Sequence, residues 1–163
     1  MLERIQTTMS AIKTRLLNDT TIKQLLYYDS NDALSIEAPE KSQVAEYVTL
    51  RPIFEFENKE NFEQNSMINI YTTQCDPIEE SKALASVLQI NIVTNVDNWE
   101  LVDDKIRPLQ IADRVISLVN GFKFTASNKL VFSTMTDLII SKKMVGYALL
   151  FSIIDGSGEV EKF

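Results

Sequence analysis

The first seventeen residues carry one apolar stripe: Leu2, Ile5, Met9, Ile12 and Leu16 recur at steps of three and four. That spacing predicts an amphipathic helix whose other face holds Arg4, Lys13 and Arg15. The stripe fits packing on the protein's own sheet, or docking on a neighbouring subunit. Asn18-Asp19-Thr20 stops this helix and offers a cap for a second one over Thr21 to Tyr28. Residues 29 to 43 are polar and read as a loop. From Glu46 to Glu57 the chain reads as extended: Phe54 and Phe56 share one face and Glu55 and Glu57 the other, with Pro52 placing the strand at an edge or bending it. A second strand follows at Met67 to Thr72, then a turn at Asp76-Pro77. A third and central strand runs from Leu84 to Thr94, with Leu88, Ile90 and Ile92 on one side.

Asp103-Asp104 reads as a cap pair for a long helix that takes Pro108 in its first turn. This helix turns Ile106, Leu109, Ala112, Val115, Ile116 and Val119 inward and ends at Asn120-Gly121. Strands near Lys129 to Asp137 and Met144 to Asp155 complete the chain, and the last, apolar on both faces, belongs mid-sheet. The order is helix-helix-β-β-β-helix-β-β. Runs of strands between helices predict an α+β fold, with a largely antiparallel sheet of about five strands covered by helices on one side. The whole chain, 1–163, reads as a single domain with N-terminal helices over 2–28 and a short polar tail over 156–163.

Composition narrows the chemistry. The 163 residues include no His and one Cys. No imidazole is present for acid/base work, for a Ser-His-Asp triad or for metal ligation. A single Cys excludes an internal disulfide framework and a cysteine-based zinc site. Four glycines are too few for a dinucleotide fingerprint, and none are spaced as a P-loop. Cys75, in Gln-Cys-Asp-Pro, reads as an isolated reduced thiol. The N-terminus lacks the apolar run of a signal or membrane anchor, so a cytosolic site of synthesis is expected.

The net charge of -7 is unevenly spread: +2 over residues 1 to 28, -12 over 29 to 104 and +3 over 105 to 163. An acidic middle repels phosphate and suits a surface that must not hold nucleic acid, one that meets a basic partner, or a merely solubilising face. The paired carboxylates Glu79-Glu80, Asp103-Asp104 and Glu55/Glu57 show no calcium-loop pattern and no convergence on a second acid. Ser141-Lys142-Lys143 reads as a charged turn rather than a Ser-Lys nucleophile pair. Trp99 and Tyr27-Tyr28 read as core or interface anchors. No catalytic residues, no cofactor and no metal site are expected, and the chain reads as a binding or structural protein.

Certain segments carry a resemblance. The strand Leu88-Gln89-Ile90-Asn91-Ile92 is followed by a polar loop and by a long helix from Asp104 through Ile111-Ala112-Asp113-Arg114-Val115 to Leu118. A closing pair of strands ends in Tyr147-Ala148-Leu149-Leu150-Phe151-Ser152-Ile153-Ile154. With the helical N-terminus and the β-hairpin, this looks like the tail-terminator and tail-completion proteins of long-tailed bacteriophages, over roughly Leu16 to Asp155. The resemblance implies a structural virion protein that assembles as a ring, commonly a hexamer, on the last ring of the tail tube. The ring ends tail polymerisation and presents a docking surface to the neck or head connector. Implied partners are other copies of the chain, the tail tube protein, the neck and head-connector proteins and, in a contractile tail, the sheath. DNA would pass through the lumen without specific binding, no membrane is involved, and assembly would take place in the host cytoplasm. Glu55, Glu57, Glu60 and Glu63 are the candidate acidic residues facing the lumen or tube. Arg51, Phe54, Phe56 and Lys129 are the candidate subunit-interface residues, and a first helix touching the neighbouring ring is a further expectation. Another neck component, such as a head-completion or connector protein, and a non-catalytic cytosolic binding module are the alternatives.

Overall fold

The computed structural model describes residues 2–52, 66–78, 83–123 and 129–155. Helix α1 spans Leu2–Leu17 and α2 spans Thr20–Tyr27. A four-residue helix α3, Lys41–Val44, precedes the two-residue strand β1, Val48–Thr49. Strands β2 (Met67–Ile78) and β3 (Ala83–Asn95) form an antiparallel pair. Helix α4 (Arg107–Val119) leads to β4 (Lys129–Ile139) and β5 (Met144–Asp155). The sheet order is β1-β2-β3-β5-β4, antiparallel except for β1 beside β2. This is the α+β class expected, with β3 and β5 inside the sheet.

Register explains the layers. Ile70, Ile90 and Leu149 stand in one row across three strands, with Leu88 and Phe151 in the next such row. All five are fully buried and join one core with Ile12 and Leu16 of α1, Ile22, Leu25 and Leu26 of α2, and Ile111, Val115 and Val119 of α4. Strand side chains alternate, so the opposite face shows the intervening rows: Asn69, Asn91, Ala148 and Thr136 in one, Tyr71, Gln89, Leu150 and Thr134 in another. Where β5 crosses β3, Gly146 opposes Val93 so closely that a Cβ there would fall 1.9 Å from the Ile92 carbonyl oxygen.

Several boundaries depart from the sequence reading. The polar stretch 29 to 43 is not one loop. It contains a 3₁₀ turn at Ala33–Ser35 and α3, because Gln24 donates its amide to the carbonyls of Leu34 and Ile36 and a Glu40/Gln43 capping box starts α3. Of the strand expected over 46 to 57, the start falls in a 3₁₀ turn at Ala45–Tyr47, Val48–Thr49 is strand and Arg51 and Pro52 form a bend, while residues 53 to 57 lie outside the described residues. Its edge position matches the reading of Pro52. Asp76-Pro77 is not a turn but part of β2, paired with Ala85 and Leu84.

Asp103-Asp104 does not cap the long helix. Both residues take left-handed backbone (φ 61° and 57°) in a 3₁₀ turn that Leu101 N–H closes onto the Lys105 carbonyl, and Ile106 is the N-cap of α4. Asp tolerates that conformation better than most residues, a property the same two letters share with capping. Pro108 does lie in the first turn. The inward face of α4 is Arg107, Pro108, Ile111, Ala112, Val115 and Val119, whereas Ile106, Leu109 and Ile116 are half-buried.

Candidate assembly surface

Strand β4 reads Lys-Leu-Val-Phe-Ser-Thr-Met-Thr-Asp-Leu-Ile, rich in residues that favour extended chain. It pairs with β5 on one side and closes the sheet on the other. Its ladder is irregular between Phe132 and Thr134, so Ser133 is a bulge. Before the bulge the outer edge is occupied: Gly121 N–H donates to the Leu130 carbonyl at 2.7 Å, Leu130 N–H to the Phe122 carbonyl at 3.2 Å, and Phe132 N–H to Asn120 Oδ1 at 2.9 Å. Gly121 can serve there because its φ of +78° suits the left-handed turn that ends α4.

After the bulge the edge is open among the described residues. Ile140 N–H donates to the Met144 carbonyl, which fixes the alternation of the antiparallel ladder. Leu138 and Thr136 therefore bond to β5, while Met135, Asp137 and Ile139 turn N–H and C=O outward. Their register with Leu149, Tyr147 and Val145 puts their side chains on the helix side of the sheet, yet Met135 is 40% and Ile139 77% exposed. Helix cover reaches the start of β4, where Leu130 is buried, and stops short of this later stretch. Val131 and Ile140 add exposed apolar surface at its two ends. An uncovered strand edge of this kind is a template for another chain unless charge, proline or bulge blunts it. Beyond the bulge, β4 has Asp137 alone as such a device.

The sheet face opposite the helices is largely polar and uncharged along its middle rows, where Asn69, Asn91 and Ala148 are buried. Gln89 donates to Asn91 Oδ1 at 2.7 Å, Asn91 donates to the Tyr71 hydroxyl at 3.4 Å, and Asn69 donates to Thr49 Oγ1 at 2.6 Å. The buried Oδ1 of Asn69 finds no donor among the described residues.

Of the expected interface residues, Lys129 is exposed and begins β4, but on the stretch that residues 120 to 123 already pair. The open stretch starts beyond Ser133. Arg51 is exposed in the bend after β1. Phe54, Phe56, Glu55, Glu57, Glu60 and Glu63 lie outside the described residues, as does the tail over 156–163. Ser141 sits in the β4–β5 turn, its hydroxyl accepting from Lys143 and Met144 N–H, as a charged turn requires. Trp99 is half-buried and stacks at a tilt on Tyr147, with ring centroids 6.4 Å apart.

Sequence reasoning missed Arg107. It is 1% exposed and bonds only to backbone carbonyls among the described residues: Nε to Asn98 at 2.8 Å, Nη1 to Leu25 and Tyr28 at 3.0 and 2.6 Å, and Nη2 to Ser30. Burial pulls its pKa down and the field of Asp29 opposes that shift. Leu25 and Tyr28 are at the C-terminal end of α2, where carbonyls lack helical partners and the helix dipole favours a cation. A lone Arg at the start of an amphipathic helix gives no sequence signal of this role.

Among the described residues no three His, Cys, Asp or Glu side chains gather as a metal site, and no helix is long and apolar enough to cross a membrane. Together these features define a small α+β domain with helices on one face of its sheet and an edge strand, β4, that is open beyond Ser133 among the described residues. The YomW family model matches residues 19–153, most of the chain, and the chain belongs to that family. The family takes its name from a gene of the SPbeta phage region of Bacillus, which makes this a phage-associated protein. No curated protein matches it.

Proposed function

We propose that this phage-associated protein is a structural subunit of the virion, of the tail-terminator kind. It assembles with other copies into a ring on the end of the tail tube, stops its polymerisation and offers the neck or head connector a surface to dock on. The observation that supports this reading is the open stretch of β4, where the backbone groups of Met135, Asp137 and Ile139 have no partner among the described residues and lie beside exposed apolar side chains. A heterologous contact that closes under rotation makes a ring and forbids further growth. An interface of the usual size, about 800 Å² per partner, is enough to hold each joint. The role needs no catalysis. DNA crosses the ring without specific contacts, the tail tube and neck proteins are the axial neighbours, and assembly precedes packaging into the virion in the host cytoplasm.

Native mass measurement and electron microscopy test this. The wild-type chain forms a closed ring, Met135→Lys gives a folded monomer, and particles lacking the protein carry tails of abnormal length or tails unjoined to heads. Tails of normal length already joined to heads in its absence would remove the terminator assignment.

A further inference from the structure

Deepening the docking role proposed above and resting on it, we infer that a pocket beside the start of β5 seats a basic side chain, arginine or lysine, of the protein that meets this subunit along the axis. Val96, Asp97, Trp99, Glu100 and Val145 line that pocket, whose volume of about 430 Å³ lies within the range of ligand sites.

The turn that leaves β3 builds it. Val96–Asn98 is a 3₁₀ turn, closed by Trp99 N–H on the Val96 carbonyl at 3.3 Å and capped by Asn95, whose Oδ1 accepts Asp97 N–H at 2.9 Å. Val96 N–H donates to the Lys143 carbonyl at 2.8 Å, which holds the turn against the β4–β5 connection. From behind, Arg107 donates its backbone N–H to the Trp99 carbonyl and its Nε to that of Asn98. The walls are thus set before a partner arrives, and little ordering cost remains for binding.

The lining follows the make-up of a long cationic side chain. Val96 and Val145 give aliphatic surface for its methylene stem. Trp99 is half-buried and gives the aromatic surface that attracts a cation best. Asp97 and Glu100 are exposed, and their carboxylates have no hydrogen-bond or ion-pair partner among the described residues. Asp29 and Asp32 add to the same field from the neighbouring connection, which Val102 N–H ties to this one through the Asn31 carbonyl. Arg107, the cation behind the turn, is buried and already bonded to four carbonyls.

Other occupants fit worse. A purely apolar side chain would draw two carboxylates out of water unpaired, which costs free energy. An anion meets repulsion, because residues 95 to 106 carry Asp97, Glu100, Asp103 and Asp104 against Lys105 alone. A divalent metal ion needs more oxygen ligands than two carboxylates supply, and no third acidic side chain joins them among the described residues.

Trp99 is the one tryptophan, so its emission reads the pocket directly. The full-length protein is titrated at low salt with a short capped oligo-arginine peptide, and with the same peptide carrying citrulline, its uncharged analogue. The expected result is a saturable change in emission with arginine and little with citrulline. Asp97→Asn/Glu100→Gln weakens binding by about fivefold or more. Asp103→Asn/Asp104→Asn, the same charge change on the same connection but outside the pocket, weakens it less than about twofold. Val96→Lys places the chain's own ammonium beside the lining and weakens it about as much as the first pair. Equal weakening by the two double variants would mean a diffuse field and overturn the site. Equal binding of the citrulline peptide, or no saturable signal by fluorescence and calorimetry, would overturn it as well. Native mass measurement separates this from the ring reading: a chain that binds arginine in this way yet never forms a ring removes the ring and keeps the pocket.

Discussion

Arg107 offers the sharpest test of how the fold is held. Arg107→Met removes the donors that four carbonyls share, those of Asn98, Leu25, Tyr28 and Ser30, and leaves an apolar chain of similar length in the same space. A buried acceptor stripped of its partner costs about 1–3 kcal/mol. Four would exceed that several-fold, but two effects offset it: the guanidinium's own burial cost vanishes, and the Ser30 carbonyl keeps a second donor in Ala33 N–H. With three carbonyls left without this donor, a net loss of about 3–5 kcal/mol is expected after those offsets. For a chain of this length it corresponds to a fall in Tm of roughly 6–20 °C. Arg107→Lys keeps the charge but offers a single nitrogen in place of a three-nitrogen fork, so it should fall between the two. Urea unfolding followed by fluorescence reports it well, because Trp99 is the one tryptophan and its carbonyl accepts from Arg107 N–H. The midpoint should drop with the slope unchanged, and far-UV circular dichroism should give the same transition. A Met variant within about 1 kcal/mol of wild type would refute the clamp.

Two further changes probe the elements that carry the sheet. Asp19 caps α2 by accepting Ile22 N–H at 3.0 Å and also accepts two bonds from Arg114, whose pKa is raised first of all by that hydrogen bond. Asp19→Ala should cost about 1–2 kcal/mol for the cap, with under about 1 kcal/mol more for the half-exposed ion pair, while Asp19→Asn keeps most of the cap; equal losses in denaturant titrations of the two would contradict this division. Gly146→Ala pushes a methyl into the Ile92 backbone carbonyl, and the β3–β5 pair has to part to admit it. A loss of about 3 kcal/mol or failure to fold is expected, and a thermal melt like that of wild type would show the crossing to be looser than drawn.

The strands were legible where burial on one or both faces left a pattern. Met144 to Asp155 was read to its ends because nearly every residue is apolar, as a strand with neighbours on both sides requires. The edge strands were harder. β1 is two residues long and its pairing is parallel to β2, a long-range choice that no local alternation encodes. Asp76-Pro77 carries turn letters, yet an edge strand can hold a proline on its outer side, so the local signal lost to sheet position. The same confusion between two uses of one residue type misplaced Asp103-Asp104. Lys129 marks the start of the strand expected to pair across subunits, but the open edge lies beyond Ser133, and a bulge leaves no mark in a run of β-formers.

The uneven charge also acquires a location. Asp29 and Asp32 follow α2, and Asp97, Glu100, Asp103 and Asp104 lie between β3 and α4; all six are exposed. These two connections are bound to each other: Val102 N–H donates to the Asn31 carbonyl, and Arg107 ties Ser30 and Asn98 to one guanidinium. Part of the acidic excess of the middle segment is thus gathered at one pole of the molecule, and the buried cation inside it both holds the connections together and softens their mutual repulsion. The open stretch of the β4 edge is separate from those connections in the chain and carries Asp137 as its one charged side chain. Joining copies edge to edge would then depend little on ionic strength, because it rests on backbone hydrogen bonds and apolar cover. Any basic partner that meets the acidic pole would be released by salt, since exposed charges are screened within about 10 Å at 0.1 M. In the proposed ring, closure and axial docking would then rest on different physical forces on different parts of one small domain.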